Sequence, residues 1–164
     1  MARRKIEDKT QSSDCVLYAR VSSKEQEREG YSIDAQVRLL REYAQKNSLR
    51  IIDEYIDVES AKTSGRQNFS KMLDFFKQDA KLKDDSHRCR ILLVEKTDRL
   101  YRNIKDWTTM DDYDLQIHLV KEGEVLGKES KSQSKFMHGI RVLMAKNYID
   151  NLSEEVLKGM IEKA

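Results

Sequence analysis

Apolar positions recur along the chain with two different periods. Cys15-Val16-Leu17-Tyr18-Ala19 is a short unbroken apolar run and predicts a buried strand. A polar loop follows over 21–30. Ile33, Val37, Leu40 and Ala44 then fall near helical spacing behind Ser32, a capping residue, which predicts a helix over 33–47. Residues 49–56 predict a second strand, and 57–68 are polar. Phe69, Met72, Leu73 and Phe76 sit at i, i+3, i+4 and i+7, the stripe of a second amphipathic helix. A charged connection over 77–88 leads to the clearest strand, 90–94. A short helix is predicted over 102–113. A further strand is predicted over 115–120, where Ile117 and Leu119 alternate with Gln116 and His118. Strands alternating with helices predict an α/β fold: a mostly parallel twisted sheet flanked by helices.

The last third has a different pattern. Phe136, Ile140, Met144, Tyr148, Leu152, Val156 and Met160 recur every four residues, with Leu143 and Leu157 beside them. A long C-terminal helix from about 134 to 164 would run roughly 45 Å at 1.5 Å per residue. That exceeds the reach of a body whose radius of gyration is roughly 15 Å, so its far half needs a second subunit, DNA or another domain. A break near 151–153, with the second piece folding back, is the alternative. Gly139 weakens the helix by about 1 kcal/mol relative to alanine. The layout expected is a loose N-terminal tail over 1–13 carrying Arg3, Arg4, Lys5 and Lys9, an α/β body over 14–130, and the helix over 131–164. No terminating signal precedes Ala164, so a piece of a longer protein is expected.

Composition narrows the class. The 164 residues suit one domain, and 38% hydrophobic with 37% charged residues is not a disordered composition. No apolar run approaches the ~20 residues of a membrane span, and the polar, basic start is no signal peptide. Two cysteines far apart in sequence, Cys15 and Cys89, argue against a disulfide scaffold or a Cys-rich zinc site, so a reducing cytoplasm is expected. The net charge of +2 neither demands nor excludes a polyanionic partner.

Chemistry is expected in the crevice beyond the carboxyl ends of the strands. Two strands run into arginine-bearing polar segments, 18–26 and 95–103, and a third segment, 60–66, follows the second strand. If the sheet forms as read, these three meet at one end. They contain no phosphate-binding Gly-rich loop. His87, His118 and His138 lack metal-ligand spacing and are expected to be exposed or half-buried, and no metal or other cofactor is expected. Hydroxyls among arginines fit phosphoryl transfer: the guanidinium forks match phosphate oxygens, and a serine supplies the nucleophile. A non-catalytic anion-binding module and a small phosphatase or nuclease are the competing readings.

At these residues the chain resembles the serine recombinases, the resolvase/invertase group. Residues 18–22 through Gln26 are similar to the nucleophile motif of that family, and 29–36 to its continuation in the large phage-integrase and transposase members. Residues 60–66 resemble the second motif, 98–103 the third, and 148–156 the start of the long helix of the large members. The five segments occur in the family's order from about residue 15 onward. The resemblance implies that Ser22, rather than its neighbour Ser23, attacks a phosphodiester of double-stranded DNA to give a 5′-phosphoserine and a free 3′-hydroxyl. It implies that Arg20, Arg66, Arg99 and Arg102 bind the scissile phosphate and that Asp98 orients them. It further implies that Gln26, Gln36 and Ser60 support the loop and the phosphate contacts. The expected assembly is a homodimer that forms a tetramer through the long helix. The resemblance implies bond chemistry without ATP or an obligatory metal, and no membrane partner is expected. The family's sequence-reading C-terminal domains are expected to be absent from this chain. Its DNA binding is therefore expected to be weak, phosphate-directed and salt-dependent, without recombination by the chain alone.

Overall fold

The computed structural model describes residues 12–22, 32–59, 65–127 and 132–145. The elements in chain order are β1 (Asp14–Ser22), α1 (Ile33–Lys46), β2 (Arg50–Glu59), α2 (Gln67–Asp79), a 3-10 turn (Asp85–His87), β3 (Ile91–Val94), α3 (Thr97–Leu100), α4 (Ile104–Asp111), β4 (Gln116–Leu119), β5 (Glu124–Leu126) and α5 (Ser132–Ala145). The sheet order is β2-β1-β3-β4-β5. The first four strands are parallel, and β5 returns antiparallel to β4.

The apolar run of β1 is continuous because both of its faces are covered. Cys15, Leu17 and Ala19 face Val37, Leu40 and Ala44 of α1. Val16 and Tyr18 face the other way, into a larger core built by Phe69, Met72 and Phe76 of α2, Leu100 of α3, Met110 of α4 and Val142 of α5. Placing α1 and α2 on opposite faces is what right-handed crossovers require when the chain steps from β1 out to β2 and then back past β1 to β3. The winding order reverses between β1 and β3, so the carboxyl ends there open onto the crevice of a doubly wound sheet.

α1 begins as the sequence predicts. The Ser32 hydroxyl accepts from Ala35 N at 3.1 Å, capping the first turn. Its exit runs through Ser48, whose φ of 55° is a left-handed conformation, and Leu49 N returns to Ala44 O at 2.9 Å. α2 and α3 begin differently, with no cap from their own N-cap residues. The Asp57 carboxylate on β2 accepts from Asn68 N at 3.0 Å and Phe69 N at 2.9 Å, and so caps α2 from across the loop. Glu122, in the turn between β4 and β5, accepts from Thr97 N at 2.8 Å and Thr97 Oγ1 at 2.9 Å and so caps α3. That turn closes through Gly123, whose φ of 64° glycine adopts without strain.

α5 lies over α3 and α4. A Cβ on Gly139 would come within 3.0 Å of the Trp107 ring, so the glycine that weakens the helix is what lets it approach α4. Arg141 donates to Glu122 at 3.2 Å and pairs with Glu124.

Several expectations need correction. The one-turn α3 and the three-residue β5 are not predicted by the sequence pattern, and α4 is shorter than 102–113 because Asn103 caps it through Asp106 N at 2.9 Å. His138 is neither exposed nor half-buried but buried: it is 3% exposed, with Nε2 at 3.2 Å from the Tyr101 hydroxyl. The room that Gly139 leaves beside Trp107 draws that stretch of α5 inward. The tail over 1–11 and the helix beyond 145, with Tyr148, Leu152, Val156 and Met160, lie outside the described residues, as does the side chain of Met144.

Candidate active site

Ser22 is the last residue of β1 and is half-buried. Across the parallel ladder it stands opposite Glu59, and Arg20 stands opposite Asp57. Alternate residues of a strand share a face. Tyr18, Arg20 and Ser22 therefore line the same side as Tyr55, Asp57 and Glu59, the side of α2 and α3.

Arg20 is fixed at both main chain and side chain. Gln36 of α1 accepts from Arg20 N at 3.3 Å and donates from Nε2 to Arg20 O at 3.0 Å, a two-point amide clamp on the end of β1. The guanidinium crosses to α3, where Nε donates to Arg99 O at 3.3 Å and Nη2 donates to Asp98 O. Its Nη1 lies 3.3 Å from Glu59 Oε2. Burial pulls the Arg20 pKa below its ordinary value. Glu59 opposes that pull, while Arg66 and Arg102 add to it. The guanidinium groups of Arg66 and Arg102 are therefore close enough to act on that of Arg20.

Arg102, from the segment after α3, pairs through Nη2 with the other oxygen of Glu59. Its backbone N donates to Asp106 Oδ2 at 2.7 Å. Arg66 lies deeper. Its Nη1 reaches Asp106 Oδ2 at 2.7 Å and its Nη2 reaches Leu100 O at 2.6 Å. The Tyr18 hydroxyl accepts from Arg66 at 3.3 Å and donates to Asp57 Oδ2 at 2.8 Å. The Arg66 plane lies 3.8 Å over the Phe69 ring, a cation–π contact in a desolvated setting. Arg99 is buried beside Glu95, with Nε 3.6 Å from Oε2, and Lys121 holds the other Glu95 oxygen at 2.5 Å. Side-chain exposures of 15% for Arg20, 7% for Arg66, 5% for Arg99 and 32% for Arg102 make Arg102 the most solvent-facing of these four arginines.

The structure thus brings Ser22, Arg20 and Arg102 around Glu59, with Arg66 behind them. Arg99 contributes its carbonyl to this group, while its guanidinium is directed to Glu95. Asp98 likewise contributes a carbonyl; its carboxylate pairs with Lys96 at 3.6 Å, and Oδ1 is buried without a hydrogen-bond partner. Gln36 acts through the Arg20 backbone. Gln26, Ser60 and the neighbouring Ser23 lie outside the described residues. Among the described residues, no group of three His, Cys, Asp or Glu side chains is placed to hold a metal ion.

Sequence reasoning missed Tyr18, Asp57, Glu59, Glu95 and Asp106, the groups that bind the arginines. One signal was available. Alternation along β2 puts Tyr55, Asp57 and Glu59 on one face, and two carboxylates at the carboxyl end of a strand next to an arginine-bearing one are natural partners for it.

A family model described as the N-terminal domain of resolvases matches residues 15–164. The chain belongs to the resolvase family. A crystal structure of a resolvase family site-specific recombinase from Streptococcus pneumoniae is similar at 27% identity and a TM-score of 0.59, covering 92% of this chain and 97% of that one. The N-terminal catalytic domain of TP901-1 integrase shares the fold at 22% identity and a TM-score of 0.58, over 87% of this chain and 98% of that one. The catalytic domain of ISC1926 TnpA, an IS607-like serine recombinase, shares it at 18% identity and a TM-score of 0.51, over 92% and 97%. No curated protein matches. As a resolvase-family chain matched over nearly its whole length, this is a serine-recombinase catalytic domain, with the mostly parallel sheet and flanking helices of that fold. Among its described residues, no helix is long and apolar enough to cross a membrane.

Proposed function

We propose that this resolvase-family domain cuts and rejoins double-stranded DNA with Ser22 as the nucleophile, as part of a site-specific recombinase in the cytoplasm. The Ser22 oxygen attacks phosphorus and gives up its proton. The bond from phosphorus to the 3′ oxygen breaks, and that oxygen takes a proton. The products are a 5′-phosphoserine and a free 3′-hydroxyl. Attack by a 3′-hydroxyl reverses the step, and because one phosphate ester replaces another, no external energy source is needed. Arg20 and Arg102 hold the non-bridging oxygens as charge builds on them, and Arg66 adds its field from behind. Arg99 and Asp98 reach the phosphate once DNA draws α3 forward. Gln36 keeps Arg20 and Ser22 in register, and Gln26 and Ser60 complete the loop side. Exchange of strands takes a homodimer that forms a tetramer through the long C-terminal helix.

The observation that carries this reading is the convergence of Arg20 and Arg102, from separate segments, on one oxyanion opposite Ser22 in the ladder. The test uses a duplex library carrying a bridging phosphorothiolate in place of the 3′ oxygen, whose cleavage releases a thiol that rejoins poorly. Wild type should trap a covalent protein–DNA species whose digest carries phosphate on Ser22. Ser22→Ala should trap none, and Ser22→Ala protein that still forms the adduct would remove Ser22 from the role.

A further inference from the structure

Glu59 is the residue that holds the two arginines together, and nothing in the reaction above uses it. It ends β2 and faces Ser22 in the ladder. Its two oxygens are divided between two cations: Oε2 lies 3.3 Å from Arg20 Nη1, and Oε1 meets Arg102 Nη2. A phosphodiester would offer the same pair of guanidinium groups two non-bridging oxygens of one negative charge. The carboxylate therefore sits where the proposed substrate's anionic edge would go.

The neighbouring acids have other duties. Asp57 caps α2, Asp106 holds Arg66 and the Arg102 backbone, and Glu95 is shared by Arg99 and Lys121. The ion pairs of Glu59 among the described residues are those with Arg20 and Arg102. Its fit is also imperfect. Oε1 is buried and accepts no aligned hydrogen bond, so Arg102 is held there by charge. A side chain only 15% exposed, with one oxygen poorly bonded, is a guest that a better-matched anion can replace. Both anions cannot stay, because two like charges between the same cations repel.

We propose that Glu59 is a resident counter-anion of the phosphate site: a positioning residue that keeps Arg20 and Arg102 gathered while DNA is absent, and that an incoming phosphodiester must displace. The inference rests on the reading of Arg20 and Arg102 as phosphate ligands. Binding at this site is then an exchange of anions rather than the filling of a vacancy. Glu59 lowers the affinity for phosphates while sparing the arginines mutual repulsion.

Inorganic phosphate serves as the probe, with the Nε–H resonances of Arg20 and Arg102 as the readout. Glu59→Gln should bind phosphate at about tenfold lower concentration than wild type, a difference of about 1.4 kcal/mol. Its melting temperature should be lower than wild type without phosphate and should rise more steeply as phosphate is added. A merely structural glutamate would not give that tighter binding. Equal or weaker phosphate binding by Glu59→Gln, with Arg102→Ala still weakening binding in the wild-type background, overturns the role of Glu59 and leaves the site reading intact. If Arg20→Ala and Arg102→Ala do not affect phosphate binding, the site reading fails and the inference with it. Wild-type protein supplies a readout that needs no variant. The Glu59 side-chain carboxyl resonance should shift along the same titration curve as the two arginines, and a carboxyl signal that stays put while they move overturns the exchange.

Discussion

The two faces of the sheet are built by different means. On the α1 side the helix is closed at both ends by its sequence neighbours. Ser32 caps a helix three residues away, Leu49 closes it through Ala44, and the stripe Val37, Leu40 and Ala44 fills the space beneath. On the α2 and α3 side the helix starts are held by acids from elsewhere, Asp57 and Glu122, and Arg20 and Arg66 answer carboxylates 39 and 40 residues away, while Arg99 answers Glu95 one turn before it. A face assembled from neighbours in sequence is stable on its own terms. A face assembled from distant charged partners is poised, because each partner holds several others, and removing one leaves uncompensated charge in the interior.

The sharpest way to break the contrast is to remove one cap from each face. Asp57→Ala strips acceptors from Asn68 N, Phe69 N and the Tyr18 hydroxyl together, and should cost about 2–4 kcal/mol in urea unfolding. Ser32→Ala removes a single local cap and should cost about 1 kcal/mol. Equal losses would mean that the remote cap is no more connected than the local one.

A smaller effect should appear with pH. Each face holds one histidine whose pKa burial pushes below 6.5, His118 on the α1 side and His138 under α5. A depressed histidine binds fewer protons folded than unfolded, so stability is intact above the ordinary histidine range and falls as pH drops through 6.5 toward the folded value. Unfolding at pH 5.5 should therefore be easier than at pH 7.5. His138→Phe should flatten that slope more than His118→Phe, because His118 is only half-buried and bonds the Tyr43 hydroxyl at 2.8 Å. The reverse ranking would place the more strained histidine on the locally built face.

The same contrast explains what could be read from the sequence. Periodicity reports elements that bury a stripe against whatever lies below, so β1, α1, α2 and β3 are visible, and the arginine-bearing ends of the strands follow from them. α3 is four residues inside a polar motif and β5 is three, too short for any period to register. The partners of the arginines are invisible for a different reason: Glu59 meets Arg20 across 39 residues, and Asp106 meets Arg66 across 40. Charge pairing has no period, and no local pattern says which of many acids will lie opposite which base. Gly139 illustrates the remaining gap. Its helix-weakening character is legible, but its purpose depends on Trp107, which belongs to another helix.

Glu122 grips the first turn of α3 with the same carboxylate that receives Arg141 from α5. The segment bearing Asp98, Arg99 and Arg102 is thereby tied to α5, and the contact of His138 with the Tyr101 hydroxyl ties it a second time. Arg141 also pairs with Glu124 on β5, so a displacement of α5 is passed both to the segment bearing the arginines and to the edge of the sheet.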